Sequence, residues 1–468
     1  MTTMVGVAPS GAEDGRDMSV SEGKGLPQLP EVSAWRMVSR AALVTAVFVW
    51  FVSLRLLDLG GLRWLAFTLT GQRARYERLS GPVAFRRAFE VLGPTYVKLG
   101  QLVASGEALF PERYSEEFRK LLDRVPPFDF ADVERTIEAD VDGAAARFAY
   151  IDPSPIAAAS IAQVHAATLD DGEEVVVKVQ RPGIGELAAA DIALMRIFAR
   201  VAHRVSLHAR RANALAIIED FEANLVEELD FRNEAGRMRE FNQVMKAMGT
   251  DSVAAPRIED DLSGPRVLTM ERFDGWRLDD TASILASDFD AEERLLTGIR
   301  AWFQTLICKG FFHGDVHAGN FLLLKDGRIG YLDFGIVGVF TEDQKKNVLE
   351  YVLGFQSRDF ERVGRSMLAM GVTDESKIEF DVFVVDLTEA YAPLIDGRKM
   401  KELIPNIMRV GRKHQLRMPR DLVLVTKQLV YLDRYSRALG GEGMNVLTDQ
   451  RLSNLIMQDM LAAMFAPT

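Results

Sequence analysis

The stretch Phe312-His313-Gly314-Asp315-Val316-His317-Ala318-Gly319-Asn320-Phe321-Leu322-Leu323 is followed, after a short strand pair turning at Asp326-Gly327, by Tyr331-Leu332-Asp333-Phe334-Gly335. Phosphoryl-transfer chemistry needs a carboxylate near the nucleophile, then an Asn and an Asp able to hold metal ions against phosphate oxygens. Asp315, Asn320 and Asp333 supply those groups in that order, with Asn320 five residues after Asp315. One such element means little; the ordered set is specific. His313 and His317 are spaced as in a zinc-binding helix, but Gly314 occupies the place of that motif's Glu. A loop braced by His313 fits better. Asp and Asn also cap ordinary turns, but the matching Asp333 speaks against that.

Working outward, the run Val175-Val176-Val177-Lys178-Val179 reads as a strand, paired as a hairpin with Ile161–Leu169 through the turn Asp170-Asp171-Gly172. Lys178 inside it needs an anionic partner, because an unpaired ammonium is costly to bury. Candidate carboxylates lie in Glu227-Glu228-Leu229-Asp230-Phe231-Arg232-Asn233-Glu234-Ala235, where Asp230 and Glu234 share one helix face. Taken alone, that acidic run reads as a solvated surface. A phosphate-covering loop is expected to be glycine-rich. Here Ala157-Ala158-Ala159-Ser160 stands in that place, and the added Cβ atoms predict a stiffer loop.

The whole chain has 468 residues, 48% hydrophobic and 26% charged, which predicts two or three packed units and excludes wholesale disorder. Its net charge of −11 disfavours broad wrapping of nucleic acid, so no nucleic-acid partner is expected. A single cysteine, Cys308, rules out an intramolecular disulfide and favours a reducing compartment. Residues 1–34 read as a disordered tail. An apolar run from Ala41 to Leu54, continuing to Leu57 after Arg55, is short of the ~20 residues of a spanning helix and does not resemble a secretory signal. Residues 36–90 carry nine arginines against three acids, so contact with an anionic membrane surface competes evenly with packing on the protein's own core. Residues 82–122 are helical in pattern, ending at Pro126-Pro127; 186–247 are helical again; Arg266–Met270 reads as a strand; and after Ala282 everything but Phe321–Leu332 reads as helix.

Taken together, these segments resemble the UbiB/ABC1/ADCK family of atypical protein-kinase-like proteins, also called AarF-type. Tyr96-Val97-Lys98-Leu99-Gly100-Gln101 is similar to that family's Lys-x-Gly-Gln motif, Ala157–Ser160 to its alanine-rich loop, Lys178 to its strand lysine and Glu228-Leu229-Asp230 to its Glu-x-Asp motif. The resemblance covers residues 85–340 or so. It implies an α+β, two-lobed protein-kinase-like fold with a helical N-terminal extension: extension 35–150, N-lobe with a helical insertion 151–273, and helical C-lobe 274–468. It further implies that Glu234 pairs with Lys178, that Asp315 is the catalytic-loop carboxylate, and that Asn320 and Asp333 hold Mg2+ on ATP. By residue pattern alone Lys98 snorkels from an apolar helix. The resemblance instead sends Lys98 and Gln101 into the cleft as a regulatory extension, with Lys98 meeting Glu228 or Asp230. Val267-Leu268-Thr269-Met270-Glu271-Arg272-Phe273 fits the strand and hinge where backbone around Glu271 and Phe273 would meet adenine.

After Gly335, only Ile336–Phe340 precede Thr341-Glu342-Asp343-Gln344, which has the form of a helix N-cap and first turn. That leaves no room for a peptide-binding platform, so phosphorylation of proteins in trans is disfavoured. ATP hydrolysis, or phosphorylation of a small or lipidic molecule, stays open. The family implies support of isoprenoid-quinone biosynthesis or lipid homeostasis at a membrane. The expected partners are then nucleotide, anionic lipid or a quinone precursor, and quinone-biosynthesis proteins. The expected place is the cytoplasm, peripheral at or anchored to a membrane through residues 41–57. Two rival readings are a small-molecule phosphotransferase of the aminoglycoside or choline kinase type and a nucleotide-binding scaffold without turnover.

Overall fold

The computed structural model describes residues 29–465 apart from 71–77, 106–111, 122–125, 206–213, 374, 396–399, 417–419, 441–443, 445 and 447–448. The segment read as a disordered tail therefore lies outside the described residues up to residue 28.

The chain opens with α1 (Ala34–Leu59), α2 (Leu62–Leu69), α3 (Gly81–Leu92), α4 (Pro94–Ser105) and α5 (Glu112–Phe118). The stretch read as one helical segment over 82–122 thus holds three helices. Gly93 and Pro94 make the first break, because Gly93 sits at φ 93° and a proline opens the next helix. Phe89, Leu92, Tyr96, Val97 and Val103 from α3 and α4 form one apolar core with Val44 and Val47 of α1. The apolar run Ala41–Leu54 sits inside a longer helix of 26 residues, because Ser33 caps it upstream and Gly60 ends it.

A five-stranded antiparallel sheet follows. Its path is β1 (Phe148–Ile151), β3 (Ala162–Leu169), β4 (Glu174–Gln180) and β6 (Val267–Glu271), with β2 (Ala157–Ala158) on the outer side of β3. Gly172, at φ 90°, makes the turn of the β3–β4 hairpin where the sequence predicts it. Alternation along β4 decides its chemistry. Val175, Val177 and Val179 are wholly buried and pack on Val133 and Ile137 of α6 (Phe130–Asp140), which sends Lys178 to the opposite face. The packing of α6 and the pairing of β1 with β3 join these segments to this sheet.

The helical insertion comprises α7 (Ile184–Val205), α8 (Ala214–Glu228) and α9 (Phe231–Ala247). Beyond the sheet, α10 (Thr281–Leu285) and α11 (Ala291–Lys309) lead into a second sheet of order β5-β10-β9-β7, formed by β5 (Val253–Ala254), β7 (Gly275–Arg277), β9 (Phe321–Leu324) and β10 (Ile329–Tyr331). β5 pairs in parallel with β10, so a strand from before residue 273 is stitched into the second lobe. A third pairing joins β8 (Phe311–His313) to β11 (Val337–Val339), two short strands in a region read as helix or loop. Their partners are 24 to 28 positions apart, and strands of three residues carry too little periodicity to be read locally.

The rest is helical: α12 (Glu342–Ser357), α13 (Phe360–Ala369), α14 (Phe380–Ile395), α15 (Met400–Lys413), α16 (Arg420–Leu439) and α17 (Gln450–Phe465). α12 starts where the sequence places it, with Thr341 and Gln344 forming a reciprocal capping box. One extended core runs from α9 through α11 and the second sheet into these helices, with Trp302, Phe312, Phe321, Tyr331 and Phe334 wholly buried within it. The architecture is the α+β, two-lobed arrangement with a helical N-terminal region.

Candidate active site

β4 and α9 bring the first two groups together. Asp230 caps α9 by accepting from Arg232 N–H, and one turn later Glu234 projects towards the sheet, 5% exposed. Lys178 Nζ donates to Glu234 Oε2 at 2.7 Å and Oε1 at 3.0 Å, and lies 3.7 Å from Asp333 Oδ1. Burial works against the ammonium, but Asp333 and Glu234 outweigh it and raise the Lys178 pKa. Burial pushes Glu234 upward against the pull of Lys178.

Asp333 stands at the strained φ of 55°, in the left-handed region that costs a non-glycine residue energy. The strain is held from both sides. Phe334 is wholly buried, with edge contacts to His313 at 4.8 Å and Phe241 at 5.2 Å. Arg237 of α9 donates to the Phe334 and Gly335 carbonyls, at 3.1 Å each, and pairs with Glu227. With Phe334 turned inward, the Asp333 carboxylate is left 54% exposed in the cleft. The Lys178 ammonium lowers its pKa to about 2, against burial and with help from Lys98.

The catalytic-loop segment is braced by His313. His313 Nε2 is 2.8 Å from the Leu332 carbonyl, and His313 Nδ1 accepts from Asp315 N–H at 3.2 Å. Those partners place the ring proton on Nε2, and burial lowers the pKa, so the ring is neutral. Among the described residues no group of three His, Cys, Asp or Glu side chains is placed to hold a metal. Asn320 Nδ2 donates to the Asp315 carbonyl at 3.1 Å, and the Asn320 carbonyl accepts from Leu332 N–H at 2.9 Å. The second bond sets Asn320 beside the strand end that presents Asp333. With its amide nitrogen committed, Asn320 can meet a cation only through its amide oxygen.

Two residues that sequence reasoning missed lie on α16. Lys427 Nζ is 3.1 Å from Asp315 Oδ1, while Gln428, wholly buried, accepts from Val316 N–H at 2.9 Å and donates to the Gly314 carbonyl at 2.6 Å. The apolar positions around them mark a helix, but nothing local to 420–439 announces a partner more than a hundred residues earlier. Arg237 escaped notice for the same reason.

The alanine loop begins as a strand. Ala157 and Ala158 pair with Val164 and Gln163, Ala159 N–H donates to the Ala162 carbonyl at 2.8 Å, and Ser160 is wholly buried. Since Gln163 pairs in turn with Val179, the register lines this loop up with the end of β4 that carries Lys178. Gln163 also accepts from Phe128 N–H at 2.6 Å, tying the loop to the chain arriving from the extension. Glu271 ends β6 paired with Val175, and its carboxylate bonds Arg328 at 3.2 Å; Phe273, two residues on, lies under the same Arg328 guanidinium at 5.5 Å.

The extension reaches this cleft. Lys98 of α4 pairs with Glu228 at 2.7 Å, the two side chains 18% and 13% exposed. Of the two partners left open by the motif, Glu228 is the one in contact; Asp230 is engaged with Arg232. Gln101 stands one turn after Lys98 on α4. Gly100 between them is closely packed: a Cβ there would come 2.2 Å from Leu121 Cδ1 and 3.2 Å from Phe118 and Phe89, so the Leu121 side chain would have to move.

A strand lysine paired to a helix glutamate, facing an Asp-Phe-Gly aspartate and an Asp…Asn loop across a two-lobed cleft, defines a protein-kinase-like site. The family model of the ABC1 atypical kinase-like domain matches residues 120–367. The chain is 35% identical over 405 residues to a chloroplastic aarF domain-containing protein kinase of Arabidopsis thaliana, covering 80% of this chain and 75% of that one. It is 33% identical over 369 residues to a probable protein kinase UbiB of Azotobacter vinelandii, covering 76% and 68%. Among solved structures, a Mycobacterium tuberculosis protein in complex with erythromycin is similar with a TM-score of 0.49 at 24% identity, covering 75% of this chain and 93% of that one. This chain belongs to the ABC1 atypical kinase-like family, whose relatives here carry UbiB and aarF-domain kinase names.

Proposed function

We propose that this protein binds Mg-ATP between its lobes and works as an ATPase or unorthodox kinase, in support of isoprenoid-quinone biosynthesis or lipid homeostasis at a membrane. The observation that carries the reading is the convergence of Lys178, Glu234 and Asp333 within ion-pair distance. In this reading Lys178, held by Glu234, meets the α/β-phosphates, Ala157, Ala158, Ala159 and Ser160 cover them, and backbone around Glu271 and Phe273 takes the adenine. Asp315 acts as the catalytic-loop carboxylate, with Lys427 beside it.

The donor set at the cleft suits Mg2+, a hard cation that prefers oxygen: an ionised, half-exposed Asp333 carboxylate and the Asn320 amide oxygen. Bound there, Mg2+ would supply charge neutralisation of the phosphate oxygens. Lys98, Gln101, Glu228 and Asp230 form the regulatory contact of the extension. The electrostatic influence of Lys98 on Asp333 supports that role, since moving α4 changes the charge facing the metal site.

The UbiB names of relatives at 32–33% identity support the quinone connection. Support for membrane contact comes from α1, a 26-residue helix whose most apolar 18-residue window, at mean hydropathy 1.9, is apolar enough to meet a bilayer. The site of action is then the cytoplasmic face of a membrane, with anionic lipid, a quinone precursor and quinone-biosynthesis proteins as partners. The test is ATP turnover by the purified protein with and without anionic vesicles, comparing wild type with Lys98→Ala and Asp333→Asn. Loss of turnover in Asp333→Asn and altered turnover in Lys98→Ala are expected; equal behaviour of all three would refute the mechanism.

A further inference from the structure

The membrane contact proposed for α1 leaves open how the helix meets the bilayer, and its packing speaks to this. α1 and α7 are linked by Arg36–Glu186 at 3.6 Å and Arg40–Asp191 at 2.6 Å. The paired positions advance together along both helices, so α1 and α7 run in the same direction. Asp191 is wholly buried, and Val44 and Val47 of α1 share a core with Ile192, Met195 and Ala199 of α7. For α1 to cross a bilayer, it would have to abandon that core and strand Asp191 without Arg40, or carry both charges into hydrocarbon.

The outer face of α1 is different: Trp35, Val49, Trp50 and Leu56 are 79%, 58%, 62% and 61% exposed. Carried forward at equal rise per residue, the α1–α7 register sets Phe198 and Val201 level with residues 48–51 of α1. There α7 exposes Ile197, Phe198, Val201 and Val205, at 50%, 49%, 54% and 79%. At 100° per residue these four fall within one stripe about 100° wide. Arg200, exposed among them, adds positive charge. Apolar stripes with interspersed arginine and tryptophan fit the headgroup boundary of an anionic bilayer.

We infer that α1 and α7 together form a single monotopic membrane face, on which the Ile197–Val205 stripe is a second apolar contact beside α1, and that α1 lies on the bilayer rather than through it. The inference rests on the proposed membrane contact of α1. Flotation with phosphatidylcholine vesicles, with and without phosphatidylglycerol, tests it on the full chain, using Trp50→Asp on α1 and a Phe198→Asp/Val201→Asp pair on α7. Both sites are exposed, so unchanged thermal melting is expected and serves as the check on folding. Wild type should float with anionic vesicles, and the α7 pair should weaken partitioning about tenfold or more. Flotation lost in Trp50→Asp but unchanged in the α7 pair would overturn the inference while sparing the α1 contact. No flotation of wild type would remove both. A self-associated form in the absence of vesicles that dissociates in the α7 pair would assign the stripe to a second copy of the chain and likewise overturn the inference.

Discussion

Two lysine–glutamate pairs meet at this cleft, and they are held in different ways. Lys178–Glu234 and Lys98–Glu228 have the same 2.7 Å contact and similar burial. The first joins a central strand to the helix packed against it, so sheet and core fix both ends. The second joins an extension helix to the end of α8, and the packing of α4 in the core it shares with α1, α3, α7 and α8 keeps Lys98 in reach. The inner pair is part of the lobe; the outer pair is a clasp. Both lysines lower the pKa of Asp333, so releasing the clasp alters the inner site electrostatically without breaking it.

Substitutions that cut one pair and spare the other separate these roles. Asp333→Asn removes the charge that both lysines address, and ATP turnover should fall by about 10²-fold or more; turnover kept at wild-type level would show that the inner site is not the working one. Glu234→Gln leaves Lys178 buried beside a neutral amide and should cost about 3 kcal/mol in denaturant unfolding, whereas Lys98→Ala should cost clearly less while shifting turnover. Equal losses from the two would erase the distinction between lobe and clasp. Gly100→Ala crowds Leu121 and the rings of Phe118 and Phe89 and should destabilise by about 1–3 kcal/mol, with a turnover change of the same sign as Lys98→Ala. Lys427→Met, which leaves both pairs intact, should lower turnover about tenfold with nucleotide affinity unchanged.

The smallest effect concerns acid. Asp333 has a folded pKa of about 2 against an ordinary value of 3.8, so its ionised form stabilises the fold above about pH 4 and that contribution disappears as pH falls towards 2. An acid-unfolding curve for Asp333→Asn should be flatter over that window than for wild type.

The inner site was largely legible in the sequence. Asp315, Asn320 and Asp333 lie within nineteen positions, and a loop followed by a strand pair fixes their relation through local bonds such as Leu332 N–H to the Asn320 carbonyl. The strand holding Lys178 announced itself by its β-branched run, and the helix start at Thr341 by residue type and spacing. The clasp was legible only as a motif. Its residues suggested two partners for Lys98, and the choice of Glu228 depended on how α4 docks. Lys427, Gln428 and Arg237 carried no signal, because each acts on backbone or carboxylate groups brought near by packing of distant helices.

The proposed membrane contact divides along the same line. The apolar content and arginines of residues 36–90 are compositional, but the full extent of α1, the buried Arg40–Asp191 pair and the exposed α7 stripe depend on which helix faces meet.

By itself the sequence determined what short-range spacing and periodicity can encode: most of the longer elements and the order of the chemical groups, whereas the face of β4 that carries Lys178 was decided by packing on α6. Tertiary structure alone decided which carboxylate holds Lys98, what braces Asp315 and which apolar residues remain uncovered. The reason is geometric. A side chain's covalent neighbours set its direction, but its charge partner and its exposure are set by whatever distant element packs against it.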